Sequence, residues 1–407
     1  MRKVFFNAIN KLAFLSLLLA IFSIHLPTMF MDVALILLFV SWAFSGDYTS
    51  KFNRVTSNIG AVSAILLFVI FGLSIFCAVV PFHESVSGWF KYHGLLFIPI
   101  VVSMLQKKSE RDLAVLAYIL GALTVALLSY GKWLGLVPID FVRHDAGPAN
   151  FIVFRHSISQ SIFIVFAIYL MMMKAKSSHG FTRALWIAAY SLSLGDIIFL
   201  VDSRSAQIAM VLMTTFFLYT HWKKTYIKYI AAFAFLGILT TYAFSPHMRL
   251  MDIESEIKTA QTEHRITSSG QRLELWRNTW TLIKRHPILG GGTGSFVQEY
   301  STFVPKERIV TVPDYKNVHN QYLLTLQEVG LAGLIFFITF FFYQWKAATM
   351  IRGDFEKEAF QGLIITFVAT SLFNCMFWGG EAKCYYLMAG VFLSAYVAKK
   401  NQWSLTI

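Results

Sequence analysis

His319-Asn320-Gln321-Tyr322-Leu323-Leu324-Thr325-Leu326-Gln327-Glu328-Val329-Gly330-Leu331-Ala332-Gly333 runs directly into an apolar segment over residues 334–343. An imidazole and a carboxamide stand side by side at its head. A Gly-x-x-Gly step follows, and then a stretch with no polar side chain other than one threonine and one tyrosine. On α-helical geometry, eleven residues at about 100° each bring Gly330 back to within about 20° of His319, and Gly333 falls about 40° to the other side. A helix starting near His319 would carry the histidine at its mouth and two positions without side chains roughly 16 Å further along the same face. Small residues on a membrane helix let another backbone approach closely. The stretch therefore reads as a reactive group at a membrane surface, on a helix docked tightly against a neighbour.

The rest of the chain agrees with a membrane setting. It is 56% hydrophobic and 14% charged, with mean hydropathy +0.58, where soluble domains carry about 25% charged residues. Apolar runs long enough to cross a bilayer, about 17–25 residues, fall at twelve positions: 5–24, 28–45, 59–80, 90–106, 113–130, 151–173, 184–201, 205–222, 229–245, 320–345, 360–378 and 384–398. The first two divide at His25-Leu26-Pro27. Met1-Arg2-Lys3 ahead of an apolar run resembles a signal peptide, but no small-residue cleavage site follows, so the first span is expected to be retained. Cys77, Cys375 and Cys384 lie in or beside apolar runs without metal-ligand spacing and read as buried small hydrophobes. No repeat or low-complexity tail is present. The expected fold is a single all-α integral membrane domain over residues 1–407, with about 12 transmembrane helices.

The net charge of +13 raises the question of nucleic acid. Its distribution answers it. One set of short loops and ends carries Arg2, Lys3, Lys11, Lys51, Arg54, Lys107, Lys108, Arg111, Lys174, Lys176, Arg183, Lys223, Lys224, Lys228, Lys346, Arg352, Lys357, Lys399 and Lys400. The short loops of the other side hold only Lys91, Lys132, Arg143, Arg204 and Lys383. Lysine and arginine accumulate in cytoplasmic loops, so both termini are expected in the cytoplasm. Nucleic acid is not needed to explain the charge.

One connection, residues 246–318, is long and lies on the outer side between spans nine and ten. A structureless loop of that length is uncommon in a compact protein. Leu273, Leu275, Trp276, Trp280 and Ile283 repeat at helical spacing behind a Thr267-Ser268-Ser269-Gly270 stretch that can supply an N-cap. Pro287 should end that helix, and Gly290-Gly291-Gly292-Thr293-Gly294 should form a flexible turn ahead of Phe296. The connection is expected to be a small helical cap.

Arginine is in excess on this outer side, where the charge rule disfavours it. Arg204 occupies Asp202-Ser203-Arg204-Ser205-Ala206-Gln207 between spans seven and eight, and Arg272 opens the amphipathic helix of the long loop. Arg155-His156 stands at the mouth of span six. Singly, such residues are commonly interfacial: an arginine snorkels to headgroups or pairs with an acid, Asp202 in the case of Arg204. Together they suit phosphate, because the planar guanidinium fork donates two parallel charge-assisted hydrogen bonds.

Several of these elements in chain order resemble the bacterial O-antigen ligase family. His319-Asn320 with Gly330 and Gly333 is similar to its His-(Asn/Ser/Gln)-x9-Gly-x-x-Gly signature. The Ser203–Ala206 turn resembles its arginine turn, and Arg272, with Trp276 four residues on, resembles the arginine of its long periplasmic loop. Residues 286–296 resemble the Pro-x-x-Gly-x-Gly-x-Gly-x-Phe segment that follows. The resemblance covers about 200–345; the first half agrees mainly in topology. It implies a GT-C-type glycosyltransferase of the bacterial inner membrane, active on the periplasmic side. Such an enzyme moves a preassembled glycan from undecaprenyl pyrophosphate to a hydroxyl on the sugar core of lipid A.

On that resemblance, Arg204 and Arg272, with Arg155 beside them, bind the pyrophosphate and stabilise the charge developing on it. A free imidazole titrates near pH 6.5 and accepts a proton at neutral pH. His319 is therefore assigned as general base toward the acceptor hydroxyl, giving inversion, with a purely positioning role as the alternative. Asn320 orients the ring or begins the helix; His156, Gly330 and Gly333 support the site. No cofactor and no metal are expected. Many lipid-dependent GT-C enzymes carry an acidic pair in the first outer loop, but here that loop, near His25–Thr28, has no carboxylate. Asp252, Glu254 and Glu256 lie late, in what reads as a solvated turn. Asp32, Asp196 and Glu328 sit within apolar runs, where a charge is usually paired or functional. Glu328, about 180° round the helix from His319, is expected to face away from the site.

Protein O-oligosaccharyltransferases share the signature but tend to be longer, whereas this chain stops soon after its last span. O-antigen polymerases share the many-span plan. A lipid-linked glycan flippase would need polar residues lining many spans, and here they gather at the outer side.

Overall fold

The computed structural model describes residues 2–137, 150–201, 203–221, 268–305, 316–377 and 379–397. Among them every extended element is helical, and β pairing is confined to one bridge between Ile351 and Tyr396. Helix α1 (Arg2–Phe22) turns through the 3-10 segment Ser23–His25 into α2 (Thr28–Phe44). Pro27 immediately precedes α2, a position where its missing N–H breaks no helical bond. A sharp elbow follows: α3 (Tyr48–Thr56) is bent 114° from α2. Asn58 then caps α4 (Ile59–Leu73), its Oδ1 accepting the Gly60 and Ala61 N–H groups at 3.1 Å. The short α5 (Phe82–Phe90) and α6 (Phe97–Met104) lead to α7 (Lys108–Trp133) and α8 (Ser157–Ser177). Helix α9 (Gly180–Gly195) ends in a π-helical turn, Asp196–Leu200, ahead of α10 (Arg204–His221). The cap supplies α11 (Ser268–Ile283) and α12 (Phe296–Phe303). Helices α13 (Gln321–Ala348), α14 (Asp354–Thr370) and α15 (Ala382–Leu393) complete the described chain.

Six of these segments are long and apolar enough to cross a bilayer, or seven if α2 with α3 makes one bent span. The 90–106 and 384–398 segments appear as the shorter apolar helices His93–Met104 and α15, and the 229–245 segment lies outside the described residues. The packing is that of an integral membrane protein. Helix α8 is the most buried of the six, and α15 is buried along almost its whole length. Around them the outer helices turn Leu12, Leu15, Leu19, Ile36, Phe39, Leu66 and Val69 outward. In water that surface would be costly. Among lipid chains it is solvated, and the helices are held by close packing and by backbone-directed polar contacts instead. Gln344 Nε2, which donates to Gly60 O at 2.8 Å, is such a contact between α13 and α4. Another is Asn58 Nδ2, which donates to Leu393 O at 2.9 Å.

Two cysteines are buried as expected, but Cys77 is exposed, because it ends a 3-10 turn that leaves the bundle after α4. The described part of the cap is mainly helical, and Leu275, Leu282, Phe296, Tyr300, Val304 and Val318 from it form an apolar cluster with Leu324 and Cys375. Its buried face differs from the one expected. Leu275 and Ile283 are buried as expected, but Asn278, Thr279 and Leu282 join them inside, whereas Leu273 and Trp280 are 45% and 50% exposed. The apolar periodicity located the helix; Asn278 and Thr279 are tolerated inside because Asn278 Nδ2 donates to the Tyr300 hydroxyl at 2.8 Å and Thr279 Oγ1 to Leu275 O at 2.7 Å. Thr267, Asp252, Glu254 and Glu256 lie outside the described residues.

Candidate active site

The decisive stretch is not one straight helix. Asn320 is the N-cap, its Oδ1 accepting the Tyr322 and Leu323 N–H groups at 3.0 Å, so α13 begins at Gln321. His319 stands outside the helix with left-handed backbone, φ 52°. The wheel angle relating His319 to Gly330 therefore does not apply. Residues 317–321 are instead fastened from three sides. His319 N–H donates to Asn317 Oδ1 at 2.8 Å. Asn320 Nδ2 and Gln321 N–H donate to Leu372 O at 3.1 Å and Ser371 O at 2.8 Å, just beyond α14. From the cap, Trp276 Nε1 donates to Val318 O at 3.1 Å. The histidine is thus held half-buried between α11 and the turn after α14.

Gly330 breaks α13 outright, with φ 70° and ψ −170°. A continuous helix would pair Leu331 N–H with Gln327 O and Ala332 N–H with Glu328 O. Those four groups are taken up by the glycine-rich loop instead. Gly291 and Gly292 N–H donate to Gln327 O and Glu328 O at 2.9 and 2.8 Å, and Leu331 and Ala332 N–H donate to Pro287 O and Ile288 O at 2.9 and 3.1 Å. Each of these four groups thus finds a partner, as a water-poor interior demands. A Cβ at Gly330 would land on the Ile288 carbonyl, and one at Gly290 on the Glu328 backbone. Gly330 is thus approached by another backbone, as the sequence suggested, but at a helix break. Gly333 is not: a Cβ there would meet the side chain of Val329.

The glycine loop, read from sequence as a flexible turn, is locked. Its far side is gripped by the 71–88 elbow, where Val79 N–H donates to Gly291 O at 2.9 Å, Ser85 Oγ to Thr293 O at 2.7 Å and Thr293 Oγ1 to Phe71 O at 2.9 Å. Glu328 meets the glycine loop as a buried packing contact: its Oε1 accepts the Gly294 N–H at 3.0 Å, and Tyr92 OH donates to Oε2 at 3.4 Å. Next to it, Gln327 Nε2 donates to Ser295 Oγ at 3.1 Å and to Glu299 Oε2 at 2.5 Å. Burial pushes the Glu299 carboxyl above the usual carboxylate range, against the lowering influence of Gln327, His286 and Arg285. Gln327, Glu299 and Tyr92 escaped the sequence reading. The signal for the first was a run of polar residues, Gln321, Thr325, Gln327 and Glu328, inside an apolar segment.

The arginines divide into two neighbourhoods. Arg272 lies half-buried in the second turn of α11, the helix whose Trp276 holds the His319 turn. Arg204 is the first residue of α10 and is half-buried; Asp202 lies outside the described residues. Arg155 is 7% exposed, its Nη2 4.0 Å from Met31 Sδ, in the electrostatic reach of Glu381 and Asp32. Asp32 itself pairs with Lys383. His156 is exposed at the N-cap of α8. The segments leading to Arg155 and Arg204 meet, Phe151 N–H donating to Leu200 O at 2.9 Å. The structure therefore joins the His319 turn with the Arg272 helix, seats the glycine loop further along α13 at the Gly330 break, and separately joins the approaches to Arg155 and Arg204. No group of three or more His, Cys, Asp or Glu side chains placed to hold a metal ion occurs among the described residues.

Residues 188–338 match the family model described as O-antigen ligase. That stretch contains Arg204, Arg272, the glycine loop, His319, Asn320, Gly330 and Gly333, and leaves out Arg155 and His156. A curated relative, an uncharacterized protein of Haemophilus influenzae, is 29% identical over 101 residues. The match covers 24% of this chain and 25% of the relative, so it spans about a quarter of that protein's length.

Proposed function

We propose that this chain, whose residues 188–338 match the O-antigen ligase family model, transfers a preassembled glycan from undecaprenyl pyrophosphate to a hydroxyl of the lipid A core. The observation that carries the reading is the joining of three family elements along α13 and the turn before it. The Trp276 indole ties the helix bearing Arg272 to the His319 turn, and backbone hydrogen bonds tie the glycine loop to α13, the helix that His319 precedes. In the proposed reaction the acceptor oxygen attacks the anomeric carbon as the bond to pyrophosphate breaks. His319 takes the hydroxyl proton, Arg272 neutralises the departing pyrophosphate from the His319 side, and Arg204 and Arg155 contribute from the second neighbourhood. Direct displacement inverts the anomeric configuration and requires no metal. The site faces the periplasm of the inner membrane on the charge bias of the loops.

Purified protein in detergent, given lipid-linked glycan and rough lipopolysaccharide with EDTA present, should glycosylate the lipopolysaccharide. His319→Ala and Arg204→Ala should each lower transfer by about 100-fold or more. Lengthening of the donor glycan with the lipopolysaccharide unmodified would make the protein a polymerase, and loss of transfer in EDTA would end the metal-free mechanism.

A further inference from the structure

At the lysine-rich end of the bundle, a polar pocket of about 390 Å³ opens between α1, the α2–α3 elbow and the start of α7. Asn10, Lys51, Arg54, Ser103 and Lys107 line it. It shares Asn10, Ser45, Gly46 and Asp47 with a second cavity of about 630 Å³, whose other walls are Phe5, Phe6, Phe44 and Tyr48. A cationic chamber therefore runs into an aromatic one.

The charge in the chamber is not balanced. Lys51 is only 6% exposed, yet its Nζ donates to neutral oxygens, Trp42 O at 3.2 Å and Ser45 Oγ, and lies 5.5 and 5.4 Å from the Trp42 and Tyr48 ring centres. Among the described residues no carboxylate lies within 4.0 Å of it. Burial and the neighbouring Arg54 both hold its ammonium below the usual lysine range, and Asp47 offsets them only in part. Arg54 donates from Nε to Ser103 O at 2.9 Å and reaches Asp47 only at 4.0 Å. The other acid, Glu110, is committed to the backbone, its Oε2 accepting the Gln106 and Lys107 N–H groups at 3.0 Å. A buried ammonium met only by neutral partners is costly unless an anion joins it. The bent α3, with exposed Tyr48 and Phe52 and inward Lys51, has the form of a helix lying in the membrane interface.

We propose that this pocket binds an anionic glycerophospholipid of the surrounding bilayer. Its phosphate sits against Lys51 and Arg54, Lys107 is at the rim, and an acyl chain lies along Phe5, Phe6 and Phe44. Basic pockets between membrane helices select anionic headgroups, each cation contributing about 1 kcal/mol, or about fivefold in affinity. The occupant lies apart from the candidate active site, so failure of the ligase reading would leave this site untouched.

The test is native mass spectrometry of the full-length protein, delipidated in detergent and then offered phosphatidylglycerol or phosphatidylcholine with identical chains. Wild type should retain one phosphatidylglycerol under a wash that strips phosphatidylcholine. Lys51→Gln and Arg54→Gln should each weaken that retention about fivefold, and Lys51→Arg should restore it. Lys107 is exposed at the rim, so Lys107→Gln folds normally and decides the matter should Lys51→Gln misfold; a smaller but measurable loss is expected. Equal retention of the two lipids, or wild-type phosphatidylglycerol retention in Lys107→Gln together with Arg54→Gln, overturns the proposal.

Discussion

His319 is held in a backbone conformation that non-glycine residues seldom adopt, and the cost is of order 1 kcal/mol or more. A left-handed residue just ahead of an N-cap points its imidazole in a direction that a helical continuation would not give. The bond from its own N–H to Asn317 Oδ1 helps fix that geometry. Asn317 is therefore expected to position the histidine without touching substrate. Asn317→Ala should lower transfer by about 10- to 100-fold, the scale set by an ångström of misplacement, while the melting temperature moves little. A fall in melting temperature matching the loss of transfer would make Asn317 a structural residue only. Adjacent Asn320 has the heavier structural duty, since it caps α13 with Oδ1 and ties the turn after α14 with Nδ2. Asn320→Ala should cost about 1–2 kcal/mol through the cap alone.

At the scale of the element, the broken helix and the glycine loop form one unit, since each supplies the backbone partners the other lacks. Gly330 combines φ 70° with ψ −170°, a region open essentially to glycine, and lacks room for a methyl group. Gly330→Ala should destabilise by about 3 kcal/mol or more and lose transfer, read by thermal unfolding in detergent. Gly333→Ala would set a methyl group onto the Val329 Cβ, which is fixed to the backbone and cannot turn away, and should destabilise as well. Glu328→Leu removes the acceptor of the Gly294 N–H and should cost about 1–3 kcal/mol; Glu328→Gln keeps an oxygen there and should cost less than half of that. Glu299 gives the unit a pH dependence. Its carboxyl titrates higher folded than unfolded, so the folded state holds the proton more tightly. The resulting stability is full below the unfolded value, about 4.3, and is lost as pH rises through the raised folded value. The melting temperature should fall across that window in wild type and flatten in Glu299→Gln. None of this unit was legible as geometry. Apolar residues continue through Gly330 without a change of period, and a lone glycine in such a run reads as a packing position. The loop that fills the break arrives from another part of the chain, which no local pattern reveals.

Across the whole molecule, legibility follows from how local each cause is. Hydropathy is a property of consecutive residues, and so α1, α2, α4, α7 and α8 fall where the apolar runs placed them. The shorter helices at 97–104 and 382–393 were drawn too long, because burial among neighbours, which lets a short helix sit at depth, is not written in the run itself. The candidate site residues can be read from the sequence one at a time; their grouping needs the fold. Orientation rests on lysine and arginine alone, and single-cysteine labelling puts it to the test. The exposed native thiol, Cys77, is first replaced by serine, while Cys375 and Cys384 are buried and stay silent. Lys284, exposed just after α11, and Lys108, exposed at the start of α7, then become the reporters. In intact cells with a permeable outer membrane, an impermeant maleimide should label Lys284→Cys and spare Lys108→Cys until the inner membrane is opened. The charge bias demands that outcome, because Lys107, Lys108 and Arg111 belong to the lysine-rich side and the cap to the other. The reverse pattern would place His319 and the arginines in the cytoplasm, and a ligase acting on periplasmic lipid-linked glycans would then be excluded.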